Sequence, residues 1–433
     1  MDLMYGQWIA EHGIPHTVSL TVMGAGRPWI DQQWLGQVVL HGIWSLGGVW
    51  LLRVMLALVM AGAVTIILTP AWLDGRRGAL VAGTLLGGVP LVAFSPIRAQ
   101  VLAYPLFAAV YVLLLLDCRR RSWRVWLVLP LLVVWANVHG SVLLGVALVG
   151  LRALVAVSEG YRHPTVGTLG RVVAFPALAA ASVVVTPYGT GVLAYYRETA
   201  DNPAFRKLVS EWQPIWVHGG VFPMVAAVLV VAGAIVLWSP RPRPEWLWVV
   251  GVGVLLTVMA LAEQRNLVWL ALATVPVVSG CDPSSRAVRA LTRQRQSLMT
   301  AGTLVTGSLL AGMALSLLPA YPAAAPGVIA RVAGATGRVL ADPAYADWLM
   351  MQQPSLQGRL GYDSALEQLT GSQLDGLARF QGHVAPGWQA IANGYRVVVV
   401  DSTQTPGLAR ALTGTGRWRQ VYARDGLVAL TRS

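Results

Sequence analysis

The sequence predicts an α-helical polytopic membrane protein with a small C-terminal α/β domain. The 433 residues are 55% hydrophobic and only 12% charged, whereas soluble globular domains contain about 25% charged residues. Long apolar runs recur as far as residue 318, and the composition changes at the proline-rich segment that follows. These runs exclude a soluble enzyme and a nucleic-acid-binding protein, although the net charge is +13.

Residues 1–46 precede the first long apolar run and mix aromatic, polar, glycine and proline residues. We expect a re-entrant or surface-lying extracytoplasmic segment with an amphipathic end around residues 33–44. The segment has no basic region followed by an apolar core, so it does not have the pattern of a signal peptide. Because an N terminus on the outside without a signal is unusual, we expect a further membrane crossing encoded upstream of Met1.

Ten apolar runs between residues 47 and 318 predict a transmembrane domain of about ten helices. The runs are 47–69, 78–94, 99–116, 125–137, 140–157, 172–186, 221–238, 246–262, 267–280 and 299–318. Two of them flank the turn in the segment WANVHGS (135–141), where Gly140 can supply the tight backbone that a hairpin requires.

The arginine distribution predicts the orientation of these helices. Every second loop is short and rich in arginine, and together these loops carry fourteen arginines. An excess of basic residues marks cytoplasmic loops. We therefore predict a multi-pass protein of the bacterial inner membrane, with residues 1–46 and 319–433 outside. Cys118 and Cys281 fall in predicted cytoplasmic loops, where disulfides are disfavoured, and we expect no functional role for them.

Residues 319–433 predict the extracytoplasmic α/β domain. Residues 338–341 and 396–401 have the pattern of strands, the second of them buried because it reads RVVVVD. Residues 373–380 and 407–412 favour short helices. A terminal hairpin is predicted from 417–424 and 427–432, since the intervening Asp-Gly favours a tight turn.

Polar residues concentrate at the predicted outer face of the membrane. The set comprises Asp31, Arg98, Gln100, Asn137, His139, Glu211, Trp212, Arg265 and Asn266. Polar side chains at membrane depth are costly, so they usually face a cavity or a partner. The clustering predicts a polar cavity that opens outward. Each residue also has a structural alternative: Arg98 and Arg265 could be interfacial anchors, Asp31 a helix cap, and His139 a satisfied buried side chain.

These residue types suit sugar transfer from a lipid-linked donor. Arginine forks bind phosphate bidentately, and a carboxylate can act as general base on a hydroxyl. No nucleotide sugar is present outside the cell, so the donor would be a polyprenyl-phosphate sugar. Two alternatives remain open: a transporter or flippase for a lipid-linked glycan, and a non-catalytic cell-envelope scaffold. The absence of an internal repeat and the location of the polar groups at one face favour the transferase.

Several short motifs, taken in order, resemble a known family over nearly the whole chain. They are DLMYGQWIAEHGIPH, GRPWIDQQWLGQ, SPIRAQVLAYPLF, WANVHGSVLLG, TPYG, SEWQP, EQRNLVWLALATVP, GRVLADPAYADWL, QGRLGYD, PGWQAIANGYRVVVVD and WRQVYARDGLVALTRS. The sequence resembles bacterial polytopic membrane proteins related to the GT-C glycosyltransferases. These are similar to protein mannosyltransferases and lipid-A aminoarabinose transferases.

The resemblance implies a helical GT-C core, a polyprenyl-phosphate-linked donor and an inverting single displacement. It implies a catalytic acid in the first outer loop after the first helix. Only Asp2 remains of the acidic motif that precedes LMYGQWI in the family, and the first helix and any partner acid are absent. Asp2 is accordingly the first candidate for the base and Asp31 the second.

The remaining candidates are expected to bind the donor. Arg98 and Arg265 would stabilise the lipid phosphate, and Asn137 and His139 would orient the sugar or phosphate. Gln100, Glu211, Trp212 and Asn266 complete the predicted binding set. The expected partners are the lipid-linked donor, an extracytoplasmic glycan, lipid or protein acceptor, and membrane lipid, with no nucleic acid. No cofactor is expected; a divalent metal is neither indicated nor excluded by the sequence.

Overall fold

The computed structural model describes residues 1–73, 97–160, 169–201, 208–217, 245–280, 336–383, 386–424 and 426–433, together with 328, 332 and 334. The predicted crossings at 78–94, 221–238 and 299–318 lie outside these residues, as does Cys281. Cys118 is buried and forms no disulfide.

The chain divides into two compact units, whose boundaries differ from those predicted. The helical unit comprises Leu35–Val192 and Glu211–Leu318. The mixed unit comprises Met1–Trp34, Leu193–Ser210 and Pro319–Ser433. The sequence had suggested a separate N-terminal segment ending at residue 46. In the structure, the first 34 residues instead share a unit with the C-terminal α/β region.

The helices bear out the predicted helical character of the region before residue 281. They are α1 (Asp2–His12), α2 (Trp34–Leu73), α3 (Ala103–Arg119), α4 (Val128–Val138), α5 (Val142–Gly160), α6 (Phe175–Ser182), α7 (Val192–Asp201), α8 (Trp246–Ala262) and α9 (Leu267–Gly280). Helix α1 and the first turns of α2 fall in the segment that we predicted to be re-entrant or surface-lying.

Helix α2 is broken where two glycines adjoin. Gly48 has φ of 58°, a left-handed conformation that side chains rarely adopt, and Gly47 also leaves the helical region. Residues 34–44, before the break, belong to the amphipathic end predicted around residues 33–44. They form a helix that packs closely, since a Cβ on Gly36 would lie 2.8 Å from Ala99 Cβ. Close packing of this kind requires glycine at position 36.

Aromatic side chains fill the core of the helical unit. Trp135 of α4, Trp269 of α9 and Phe107 of α3 are buried, and the rings of Phe107 and Trp269 are 5.2 Å apart. Gly145 lets α5 approach α4, because a Cβ there would lie 2.5 Å from the Leu132 side chain. Ring packing thus joins α3, α4 and α9, and one close contact joins α5 to α4.

Many apolar side chains of the helical unit face outward. Leu58, Leu154 and Val258 are all at least 60% exposed, which is the pattern of helices that meet lipid rather than water. Among the described residues, Trp34–Pro70 and Ala99–Arg119 are long and apolar enough to cross a membrane. Shorter apolar helices occupy Trp123–Val138, Val142–Ser158, Gly170–Ser182 and Trp246–Ala262.

A buried ion cluster joins the C-terminal end of α3 to its neighbours. Asp117 Oδ2 accepts from Arg152 at 3.2 Å, and Asp117 Oδ1 accepts from Arg171 at 2.5 Å and from the Ser122 N–H at 3.1 Å. Asp117 and Arg152 are each 3% exposed. Arg152 lies inside the apolar run 140–157, where an arginine is expected to extend to the nearby cytoplasmic face. The structure shows that Arg152 is buried because Asp117, a residue that we had not singled out, provides its counter-charge.

The mixed unit contains a four-stranded sheet in the order β1-β2-β4-β3. The strands are β1 (Val339–Ala341), β2 (Val397–Asp401), β3 (Trp418–Arg424) and β4 (Leu427–Arg432). β1 pairs with β2 in parallel, and the other pairs are antiparallel. The helices are α10 (Pro343–Gln352), α11 (Gly371–Gly382) and α12 (Leu408–Gly414). The predicted strands, terminal hairpin and two short helices are confirmed; α10 was not predicted.

The N-terminal residues extend this sheet and complete its core. Val22 N–H donates to Leu360 O at 2.8 Å, and the Gly361 N–H donates in turn to Val339 O of β1 at 2.8 Å. Met4 and Tyr5 of α1 belong to the buried core that includes β2. Tyr5 Oη also donates to Asp363 Oδ2 at 2.7 Å and accepts from Gln368 Nε2 at 2.7 Å. The first 34 residues therefore form an integral part of the α/β fold.

Candidate functional site

The helical unit brings together an ion pair from two of the predicted polar clusters. Arg98 ends the extended segment before a short 3-10 turn, Ala99–Leu102, that leads into α3. Its Nη1 donates to Glu211 Oε2 at 2.7 Å. The two side chains are 34% and 37% exposed, so the pair lies in contact with solvent. Among the described residues, no hydrogen-bond partner reaches the buried Arg98 Nε.

The second arginine lies next to the same segment. Arg265 belongs to the 3-10 turn Gln264–Asn266 between α8 and α9, and its guanidinium carbon lies 4.5 Å from the centre of the Trp212 ring. The Gln264 N–H donates to Gln213 O at 3.1 Å, which holds the turn against the residues that follow Glu211. The ring face orients the guanidinium of Arg265 through a cation–π contact.

His139 completes this arrangement at the turn between α4 and α5. The ring Nδ1 lies 2.8 Å from Ser141 Oγ and accepts from the Ser141 N–H at 3.1 Å. Burial lowers the pKa of His139 well below its ordinary value, and the positive charges of Arg265 and Arg98 lower it further. His139 is therefore a neutral side chain in the field of two arginines.

Gly36 of α2 packs against the backbone beside both Arg98 and His139. A Cβ on Gly36 would lie 2.8 Å from Ala99 Cβ and 2.9 Å from Val138 O. Ala99 follows Arg98 in the chain, and Val138 precedes His139. This contact explains how two residues 41 positions apart in the sequence are held on one side of the helical unit. We name the set Arg98, His139, Glu211, Trp212 and Arg265 the outer arginine cluster.

Three other predicted binding residues have structural contacts. Asn137 Nδ2 donates to Val133 O and Val185 O, both at 2.8 Å, and so ties α4 to the segment after α6. Asn266 Nδ2 donates to Met259 O at 3.2 Å. Gln100 is 3% exposed. The contacts of Asn137 and Asn266 position the backbone beside His139 and Arg265.

Glu211 was predicted as a donor-binding residue, and its contact with Arg98 suggests a different role. An ionised carboxylate repels phosphate, so Glu211 is poorly suited to direct phosphate binding. Its ion pair instead fixes the direction of the Arg98 side chain. Glu211 also reduces the net positive charge of the outer arginine cluster, which then carries two arginines against one carboxylate.

The two candidate bases, Asp2 and Asp31, lie in the mixed unit. Asp2 is in the first turn of α1, where a negative charge stabilises the helix dipole. Asp31 is 1% exposed, and its Oδ1 accepts from the Gln33 N–H at 3.3 Å just before α2 begins. Both carboxylates therefore have contacts typical of helix starts. The structure does not place either of them in the outer arginine cluster, whose members all belong to the helical unit.

Acidic side chains of the mixed unit have raised pKa values. Burial raises the pKa of Asp363, and the charge of Asp347 raises it further. Burial raises the pKa of Glu367 to about 7. Among the described residues, no group of three or more histidine, cysteine, aspartate or glutamate side chains has an arrangement suited to a metal ion.

Sequence reasoning missed two residues that shape the outer arginine cluster. Ser141 was part of the WANVHGS segment, and its spacing of two residues from His139 was an available signal for a side-chain contact. Gly36 had no such signal, because its importance depends on a contact with Ala99, 63 positions along the chain. Glycine contacts of this kind become visible only when the helices are packed.

Solved structures share the fold described above. The chain is similar to ArnT from Cupriavidus metallidurans, in a crystal structure bound to undecaprenyl phosphate, with a TM-score of 0.57 and 17% identity over 99% of this chain and 92% of that one. The apo crystal structure of the same ArnT gives a TM-score of 0.55, 16% identity and the same coverage.

A third similar structure is the Archaeoglobus fulgidus oligosaccharyltransferase, tethered by a disulfide bond to an acceptor peptide containing the NVT sequon. Its TM-score is 0.51, with 10% identity over 100% of this chain and 69% of that one. No protein-family model matches the chain, and a comparison with curated proteins gives no match. The likeness to the solved structures shows that the chain has a GT-C-like glycosyltransferase fold, as the sequence resemblance predicted.

Proposed function

We propose that the chain is a membrane glycosyltransferase that transfers a sugar from a polyprenyl-phosphate-linked donor to an extracytoplasmic acceptor. One observation carries this proposal. The outer arginine cluster combines an Arg98–Glu211 ion pair, an Arg265 guanidinium stacked on Trp212, and a buried histidine whose pKa is lowered by the charges of both arginines. Such a site suits a phosphate that gains negative charge as it leaves. The GT-C-like fold, shared with a structure bound to undecaprenyl phosphate, supports the same assignment.

The reaction is a single displacement with inversion at the anomeric carbon. A general base removes the proton from an acceptor hydroxyl, and the oxygen forms a bond to the anomeric carbon. The bond between that carbon and the phosphate oxygen breaks, and its electron pair leaves with the polyprenyl phosphate. Arg98 and Arg265 stabilise this charge by donating to the phosphate oxygens, where preorganised donors have their largest effect.

Asp2 and Asp31 are the proposed bases for the acceptor hydroxyl. Each can be tested with a substitution that keeps its size, Asp2→Asn and Asp31→Asn. Loss of the base lowers transfer, typically by about 100-fold to 10,000-fold, without weakening donor binding. A variant that only removes a helix-start contact lowers stability by about 1 kcal/mol and leaves the rate per folded molecule unchanged.

The proposal includes the location of the reaction. The helical unit would span the bacterial inner membrane with about ten crossings, and the mixed unit would lie outside. The acceptor would be an extracytoplasmic glycan, lipid or protein. Labelling of single introduced cysteines with a membrane-impermeant reagent tests this topology. A cysteine at exposed Arg419 in β3 should react in intact cells, and one at exposed Arg120 after α3 should react only after lysis.

Transfer in membranes tests the activity itself. Membranes that contain the chain are supplied with radiolabelled polyprenyl-phosphate sugars, and label is followed into acceptor. Arg98→Ala and Arg265→Ala should each abolish most transfer. Arg53→Ala is a matched control, since Arg53 also lies over a tryptophan ring, that of Trp50, at 5.1 Å but is not part of the cluster. Unchanged transfer in both cluster variants would overturn the assignment, and no label with any donor would favour a transporter or scaffold.

A further inference from the structure

Ser141 links the buried core of the helical unit to the His139 ring. Trp135 Nε1–H donates to Ser141 Oγ at 3.0 Å. Ser141 Oγ lies 2.8 Å from His139 Nδ1, and the Ser141 N–H donates to the same nitrogen at 3.1 Å. Trp135 is fully buried and packs against Phe107 and Trp269. The serine is therefore held by a rigid aromatic core on one side and contacts the histidine on the other.

This arrangement determines which nitrogen of the ring carries the proton. A backbone N–H can only donate, so His139 Nδ1 must present a lone pair to the Ser141 N–H. Since Nδ1 then carries no proton, the 2.8 Å contact requires the Ser141 hydroxyl to donate to Nδ1, while Oγ accepts from the indole N–H. A proton on Nδ1 would face both donors at once. The ring proton therefore resides on Nε2, and His139 is a donor at that atom.

We propose that Ser141 is a positioning residue that holds His139 as a neutral Nε2–H donor to an oxygen of the donor lipid's phosphate. The assignment rests on the proposed function and adds a third, uncharged donor to the two arginines. It also separates His139 from the acid–base chemistry. Both donors occupy the Nδ1 lone pair, and Nε2 already carries a proton, so His139 cannot accept the proton of the acceptor hydroxyl.

A neutral third donor has a chemical advantage in this site. A neutral donor adds to the two arginines without placing a third buried charge in the site. A fixed N–H dipole contributes most where charge develops. The hydrogen-bond partner of one ring nitrogen orients a functional histidine so that its other nitrogen faces the substrate. Loss of the Ser141 hydroxyl should therefore make the orientation of the His139 ring less fixed while the ring itself remains.

The tautomer can be observed directly by NMR of the chain, labelled with ¹⁵N-histidine, in lipid nanodiscs. His139→Gln identifies the His139 signals by their disappearance. The wild type should show an unprotonated Nδ1 and a protonated Nε2 that shifts when undecaprenyl phosphate is added. Ser141→Ala keeps the backbone N–H and should retain this tautomer, but its Nδ1 signal should shift and the response of Nε2 to undecaprenyl phosphate should weaken. Ser141→Thr, which retains a hydroxyl, should restore the wild-type pattern.

Transfer assays on the same variants give a second readout. Ser141→Ala should lower kcat by about 10-fold to 100-fold, the usual effect of losing such a partner, with little change in KM, whereas Ser141→Thr should recover most activity. Ser158→Ala is the matched control, since Ser158 is also on α5 and its Oγ donates to Val155 O at 2.7 Å. Ser158→Ala should behave as wild type in both measurements.

The possible failures are distinguishable. A wild-type ring protonated at Nδ1, or a Ser141→Ala variant with the wild-type Nδ1 signal, Nε2 response and rate, would overturn the assignment of Ser141. An Nε2 signal that ignores undecaprenyl phosphate would also overturn it. An absence of transfer by the wild type with every donor, despite the expected tautomer and the phosphate-induced shift, would overturn the proposed transferase function and leave the Ser141 assignment in place.

Discussion

Two arginine clusters lie at opposite ends of α3, a helix of 17 residues and thus about 25 Å long. At its C-terminal end, Asp117 accepts from Arg152, Arg171 and the Ser122 N–H, and the acid is 3% exposed. Near its N-terminal end, Arg98 forms an ion pair with Glu211, which is 37% exposed, and Arg265 stacks on Trp212. The first cluster is closed around a buried acid, whereas the ion pair of the outer arginine cluster lies in contact with solvent.

The comparison separates arginines that hold helices together from arginines suited to a ligand. A buried ion pair fixes geometry, and removal of one partner leaves a charge without compensation. A half-exposed pair contributes little to stability, so its arginine can be lost without unfolding the protein. We therefore expect the Asp117 cluster to govern stability and the outer arginine cluster to govern transfer.

The largest effect is expected at Asp117. Asp117→Ala leaves Arg152 buried without its counter-charge and should lower the free energy of unfolding by about 3–5 kcal/mol. Chemical unfolding in detergent micelles measures the change. Glu211→Ala is the matched control, because it also removes the acid of an arginine pair, and it should cost about 1 kcal/mol or less. Equal losses in the two variants would remove the distinction between the clusters.

The next effect concerns transfer rather than stability. Arg98→Ala and Arg265→Ala should each lower kcat by about 100-fold to 1,000-fold, because each removes a preorganised donor at the leaving phosphate. The midpoint of unfolding should stay close to that of the wild type. A radiolabelled transfer assay, with unfolding measured on the same preparations, checks both statements. If either variant keeps the wild-type midpoint of unfolding and also transfers sugar at the wild-type rate, that arginine is an interfacial anchor.

Substitution of Gly36 tests whether the packing of α2 beside the outer arginine cluster is needed for transfer. Gly36→Ala forces a methyl group to within 2.8 Å of Ala99 Cβ and 2.9 Å of Val138 O, and such overpacking costs about 1–3 kcal/mol. Because these atoms adjoin Arg98 and His139, transfer should fall together with stability. Gly42→Ala, where a Cβ meets nothing within 4 Å, should leave both unchanged. A wild-type result for Gly36→Ala would mean that α2 does not help to position the cluster.

Most of the fold could be predicted from local sequence patterns. Residues 397–401 form a buried strand because four successive valines favour extended structure, and the hairpin follows from Asp-Gly. The contribution of α1 to the α/β core was missed, although Met1, Met4, Tyr5 and Trp8 have helical spacing. The packing of α1 against Asp363 joins residues 358 positions apart, and no local pattern predicts such a contact.

The sequence named the members of the outer arginine cluster as candidates, but it did not predict the contacts between them. Topology alone could bring Arg98, His139, Glu211, Trp212 and Arg265 to one face. It could not show that Glu211 pairs with Arg98 or that Ser141 contacts His139, since these depend on side-chain directions. Asp117 was overlooked because an acid among arginines in DCRRR resembles an ordinary loop residue, whereas its importance comes from burial.

Glu211 should produce a smaller effect than either arginine. Glu211→Gln removes the negative charge but keeps the size of the side chain, so the net charge of the outer arginine cluster becomes more positive. The KM for a polyprenyl-phosphate donor should fall by a few-fold at low salt, and the difference should shrink at higher ionic strength because exposed charges are screened. The change is measured from initial rates at two salt concentrations. A large rise in KM would show that Glu211 contacts the sugar directly.

The smallest effect is expected from pH. Burial and the neighbouring arginines hold the pKa of His139 well below its ordinary value, so the ring stays neutral as the pH falls from 8 to 6. The pH profile of transfer should therefore lack an inflection from His139 in this range. His139→Gln should have a lower rate but a profile of the same shape. An inflection near pH 6.5 that disappears in His139→Gln would contradict this description.

Binding of undecaprenyl phosphate to the purified chain in nanodiscs tests the central claim most directly. The lipid phosphate alone is titrated against the wild type, the double variant Arg98→Ala/Arg265→Ala, and the matched control Arg53→Ala. The double variant should lose affinity by about 100-fold or more, because hydrogen bonds to charged groups contribute about 1.5–3 kcal/mol each. Arg53→Ala should bind undecaprenyl phosphate as the wild type does. Equal affinity in all three proteins would show that the outer arginine cluster does not bind phosphate.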